Sequence, residues 1–167
     1  MTAKMRRYLL ALSFTFLCGG SVTPAISDEG QPLLNNDLLS IGAGLSSNSI
    51  DEDDNDEDDE IGFQFFVAYD LIEVNLMEGV NSAIELGLMD YGFKRDSTGI
   101  WGTYTVDGII SGDLGWLARA GLDIGDDSGL MLGAGLSYIA DERTQLRFEY
   151  VARDEGDSLQ FNYLYHL

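Results

Sequence analysis

The last nine residues, Leu159 to Leu167, place a large apolar side chain at every odd position: Leu159, Phe161, Tyr163, Tyr165 and Leu167. Gln160, Asn162 and His166 stand between them. Successive side chains of an extended strand point to opposite faces, so this spacing predicts a strand with one apolar, aromatic face and one mostly polar face. An unpaired edge cannot be left open beside such a surface, and a strand in this position is expected to close a sheet.

The same period of two recurs upstream. Leu146, Phe148 and Tyr150 alternate with Gln145, Arg147, Glu149 and Val151. Leu130, Leu132, Ala134, Leu136 and Tyr138 alternate with Met131, Gly133, Gly135 and Ser137, and Leu114 to Leu122 alternates with Gly115 to Asp123. Ile61 to Tyr69 and Leu39 to Leu45 repeat the pattern, and two less regular runs, Ser82 to Phe93 and Ile100 to Ile110, bring the count to eight segments. The face opposite the apolar one is read as a surface of glycines and charges. Alternating segments of roughly ten residues match tilted strands that cross a bilayer, and closure into a barrel removes edges that lipid cannot satisfy. The expected fold is therefore all-β, an eight-stranded antiparallel up-and-down transmembrane β-barrel, whose narrow interior is filled by side chains.

Residues 1–27 have the form of a secretory signal peptide, with Lys4, Arg6 and Arg7 before an apolar run and Ala25 and Ser27 before the expected cut. Residues 28–36 are expected to form an N-terminal periplasmic extension and 37–167 the barrel. Cys18 falls inside the signal, and the residues before it lack the small side chains of a lipoprotein processing site, so no thiol is expected in the mature chain.

The formal net charge is −20, which disfavours a nucleic-acid partner because phosphate recognition needs a basic surface. Much of the excess lies in a first loop, 46–60, read as extracellular. There Asp51, Asp53, Asp54, Asp56 and Asp58 are candidate ligands for a weakly held divalent cation. The sixth position counted from Asp51 is Asp56 rather than the glycine of an EF-hand, so a solvated, self-repelling loop is the simpler reading and no defined metal site is expected. No cofactor is expected.

Glu85-Leu86-Gly87-Leu88-Met89-Asp90-Tyr91-Gly92 resembles the third strand of OmpA-type and OmpX-type outer-membrane barrels. Gly133 to Tyr138 and Leu146-Arg147-Phe148-Glu149-Tyr150 are similar to their sixth and seventh strands. The resemblance covers Asp37 to Leu167 and implies the outer membrane of a Gram-negative bacterium. It also implies contact with lipid and lipopolysaccharide, delivery by the barrel-assembly machinery and a monomeric barrel domain without a peptidoglycan-binding domain. Leu167 stands where the family usually has an aromatic residue, a departure that bears on recognition by the assembly machinery. The resemblance further implies a lumen charge network at Glu85, Arg119, Arg147 and Glu149. That network is read as a structural plug, with a small-ion gate as the sharper alternative.

Phe161, Tyr163, Tyr165 and Leu167 are expected to face lipid. The chain's one histidine, His166, is expected at the periplasmic rim, away from the outer rim where barrel enzymes work. A non-enzymatic structural or surface-interaction role is the favoured function. Two alternatives stay open: a lipid-modifying or proteolytic barrel enzyme, and a soluble periplasmic lipocalin-like barrel with the apolar set inside.

Overall fold

The computed structural model describes residues 34–50, 60–74, 76–92, 97–125, 128–154 and 156–167, all within one compact unit, Leu34–Leu167. The expected signal peptide, most of the expected extension, and Asp51, Asp53, Asp54, Asp56 and Asp58 of the acidic stretch lie outside the described residues.

A short 3-10 turn, Asn36–Leu38, leads into eight strands: β1 (Leu39–Ile50), β2 (Glu60–Asp70), β3 (Val80–Asp90), β4 (Thr98–Ser111), β5 (Leu114–Gly125), β6 (Gly129–Asp141), β7 (Thr144–Ala152) and β8 (Gly156–His166). Each pairs antiparallel with the next, and β8 pairs with β1 from Ser40↔His166 to Ile50↔Gly156, closing the barrel. The 50–60, 90–98, 125–129 and 152–156 connections share one end, the loop end. The 70–80, 111–114 and 141–144 connections share the other, the turn end. Register shifts next to the two tight turns, at Ile109/Ser111 and Ile139/Asp141, are bulges that sharpen the reversal there.

The alternation sorts the two faces. Phe65, Leu86, Leu88 and Leu122 are 57 to 61 % exposed on the outside. Phe161, Tyr163, Tyr138 and Tyr150 face outward with them, while Gln64, Glu85, Arg119, Arg147 and Glu149 are enclosed. Such a surface is far larger than the apolar patches water tolerates and has the form of a belt for hydrocarbon. A lipocalin-like barrel needs the opposite assignment of faces. Leu167 lies one residue past β8, yet its N–H still donates to Leu39 O at 3.0 Å.

The enclosed face is not the surface of glycines and charges that alternation alone predicts. Phe66, Met89, Tyr91, Trp101, Met131, Val151 and Leu164 form an apolar cluster inside. An interior must be filled to close-packed density, and a few charged side chains cannot do so. Phe66 pairs in register with Gly42 on β1 and Gly87 on β3, and Gly87 pairs with Trp101 on β4. A Cβ at Gly87 would sit 2.5 Å from the Trp101 ring and 2.9 Å from Phe66 Cβ, so its glycine lets two rings lie against the wall. Strand β3 stops at Asp90 rather than running on to Phe93. Asp90 Oδ1 accepts from Gly92 N and Ser97 Oγ, each at 2.9 Å, and Gly92 adopts a φ of 83°, which turns the chain.

Candidate functional site

The lumen brings together all four residues of the expected charge network. Arg119 on β5 reaches Glu149 on β7 at 2.6 Å and Glu85 on β3 at 3.6 Å, and Arg147 reaches the other Glu85 oxygen at 2.5 Å. Two guanidiniums and two carboxylates balance, and their side chains are 0 to 6 % exposed. Buried charge is tolerated only when paired and hydrogen-bonded, and neutral amides supply part of that shell. Arg119 donates to Gln160 Oε1 at 2.7 Å and Arg147 to Gln145 Oε1 at 2.8 Å, while Asn162 donates to Glu149 Oε1 at 2.8 Å. Gln64 on β2 donates to both Gln160 and Asn162. The shell thus ties β2, β3, β5, β7 and β8 across the lumen. The Arg119 guanidinium also lies over the Trp101 ring at 5.3 Å from its centroid, a cation–π contact.

A second tier sits nearer the loop end. Arg153, one residue past β7, turns inward to Asp123 at 3.1 Å and donates to Ser158 at 2.9 Å. Its guanidinium lies 5.5 Å from the Tyr91 ring centroid. Asp123 follows the inward parity of Arg119, which is the signal in the sequence for this tier. Nothing in the sequence marks the loop residue Arg153 as its partner. Trp101 was legible in the same way, because it shares parity with Thr103 and Thr105 on β4, both buried.

At the turn end a cavity of about 480 Å³ opens, with Asp70, Asp107, Glu142 and His166 among its polar lining and Ile72, Val74 and Ile139 among its apolar lining. Ser82, Arg147 and Gln145 are its most deeply buried lining residues. His166 Nδ1 lies 2.7 Å from Ser40 Oγ, its register partner across the β1–β8 seam. Ser40 is 1 % exposed and does not line the cavity, so its hydroxyl is poorly placed to attack a substrate. Among the described residues, no group of three or more His, Cys, Asp or Glu side chains is arranged to hold a metal ion.

Comparison with solved structures places the chain among transmembrane β-barrels. A de novo designed transmembrane barrel superposes with a TM-score of 0.54 at 15 % identity, over 77 % of this chain and 94 % of that one. The attachment invasion locus protein Ail of Yersinia pestis gives 0.52 at 14 % identity, over 75 % and 94 %. The outer-membrane enzyme PagL gives 0.53 at 11 % identity, over 77 % and 99 %. At such identities the likeness is one of fold alone. No family model and no curated protein sequence matches the chain.

Proposed function

We propose that this chain is an outer-membrane barrel of the OmpA/OmpX type with a sealed lumen and a non-enzymatic, structural or surface-interaction role. Its turn end faces the periplasm and its acidic loop end the cell exterior. The observation that carries the sealed reading is the charge-balanced network in which Arg119 bridges Glu85 and Glu149 and Arg147 holds Glu85, enclosed within an eight-stranded lumen. Short connections at 111–114 and 141–144 suit the periplasmic side, where such barrels carry their tight turns. Lipid, lipopolysaccharide and the assembly machinery are the partners this placement supplies.

The test is single-channel recording in a planar bilayer. The wild-type chain is expected to show near-zero conductance, and Arg147→Ala the same, because the Arg119–Glu149 pair and the Arg153–Asp123 tier still close the lumen. Discrete openings in Arg147→Ala, absent from wild type, would replace the plug by a gate.

The Ser40–His166 contact favours a second reading, a hydrolase at the periplasmic rim with Asp70 near the imidazole. The folded chain is expected to hydrolyse p-nitrophenyl acetate no faster than its His166→Ala variant. Turnover that vanishes with His166→Ala or Ser40→Ala would move the protein to the enzymes.

A further inference from the structure

Small residues interrupt the outer wall at several points, Gly102, Ala118, Ala120 and Ala134 among them, and one such point lies on the closing seam. Ala43 on β1 pairs with Phe65 on β2 and with Tyr163 on β8, so a single methyl stands between two rings. The result is a hollow of about 720 Å³, with Ile41, Ala43, Phe65, Leu88, Tyr163 and Tyr165 in its lining. A second hollow of about 330 Å³ shares Ala43, Phe65 and Tyr163 with it and reaches Leu45 and Phe161, so a furrow follows β1 up the seam. Its walls lie within the belt of exposed apolar side chains, where no water is present to fill it. An empty hollow there forfeits dispersion contacts on one side. A flexible hydrocarbon chain follows a narrow furrow of this kind more closely than the convex wall of a second barrel does.

The furrow has a polar end. Tyr165 lines the larger hollow, and its hydroxyl lies 3.5 Å from Arg143 Nη1 in the 141–144 turn. Arg119, Arg147 and Arg153 are all committed to enclosed carboxylates, so Arg143 is the one Lys or Arg side chain among the described residues that is exposed and without a carboxylate partner. Asp141, beside it, turns its carboxylate back to accept from the Arg143 backbone N–H at 2.9 Å and leaves the guanidinium uncovered.

We infer that this seam holds one glycerophospholipid of the periplasmic leaflet, an acyl chain lying along β1 past Ala43 and the phosphate held by Arg143 beside Tyr165. The inference rests on the membrane placement proposed above. An interfacial arginine and a tyrosine at headgroup depth suit the phosphate, and the aromatic walls suit the chain. The tyrosine hydroxyl fixes where the guanidinium stands, and Ala43 decides whether the chain has room.

The test uses the full chain folded in detergent micelles, titrated with palmitoyl-oleoyl phosphatidylglycerol and read by native mass spectrometry. One retained lipid per barrel is expected. Arg143→Gln should weaken its retention about fivefold, the worth of one interfacial cation, and leave the matching diacylglycerol, which lacks phosphate, unaffected. Ala43→Phe fills the furrow and should abolish retention of both lipids while the barrel keeps its folded gel mobility. Equal retention by Ala43→Phe overturns the chain site, and equal retention of phosphatidylglycerol by Arg143→Gln overturns the phosphate site. A dimer that Ala43→Phe dissociates would assign the furrow to a second copy of this chain and overturn the lipid. Failure of the folded chain to float with vesicles overturns the membrane placement as well; flotation without retained lipid overturns this inference alone.

Discussion

Replacing Arg119 by alanine is expected to destabilise the folded barrel by about 3–5 kcal/mol, the range for stripping one partner from a buried ion pair. Arg119 is the cation that touches Glu149, and it shares Glu85 with Arg147. Without it Glu149 keeps only the Asn162 amide, and a carboxylate remains enclosed with no opposite charge at contact distance. The effect is an asymmetry rather than the worth of the pair, because the cost comes from the charge left behind. Arg119→Ala combined with Glu149→Gln should therefore recover a good part of the loss. Urea titration of the detergent-folded chain, followed by the folded and unfolded gel bands, measures both variants. A loss below about 1 kcal/mol in Arg119→Ala would mean that water already enters the lumen and solvates Glu149.

Trp101→Ala is expected to cost about 3–5 kcal/mol as well, for a different reason. The indole is 1 % exposed, packs on Phe66 with ring centroids 5.5 Å apart, and roofs Gly87. No neighbour can collapse into the space, because the wall behind it is backbone held in a closed ladder. Trp101→Phe keeps a ring over Gly87 and should cost well under half as much in the same titration. Trp101 also carries the Arg119 guanidinium on its face, so the two losses are not independent. The double variant Trp101→Ala/Arg119→Ala should fall short of the sum of the singles, and strict additivity would show the cation–π contact to be idle.

Much of the architecture was legible because each strand carries its own record of which face meets lipid. Period-two alternation fixes parity, and parity fixes the inside and outside of every strand once closure is assumed. That is why Glu85, Arg119, Arg147 and Glu149 could be assigned to one enclosed surface from the resemblance and the alternation together. Parity says nothing about height along the barrel or about which inward residues meet across it. The Arg147–Glu85 contact spans 62 positions and depends on strand stagger, which no local pattern encodes. Arg153 lies in the connection after β7, and a long side chain near a strand end can reach back to Asp123 in a way that no alternation records. The apolar cluster was hidden for a simpler reason. Phe66, Met131 and Leu164 sit on the polar face of strands whose greasy face is greasier, and an alternation count reads them as noise rather than as filling.

The seam between the first and last strands sets the order in which this barrel can become stable. Ser40 and His166 lie 126 positions apart, yet they are neighbours on the closing ladder. Fastening that ladder makes the contacts of greatest sequence separation in the domain. Every partly assembled form that has not fastened it carries two raw rims, ready to recruit a stranger's strand. Maturation of this chain is therefore a race between its own final zipping and adhesion to its neighbours, and whatever shields β1 until β8 arrives decides the winner.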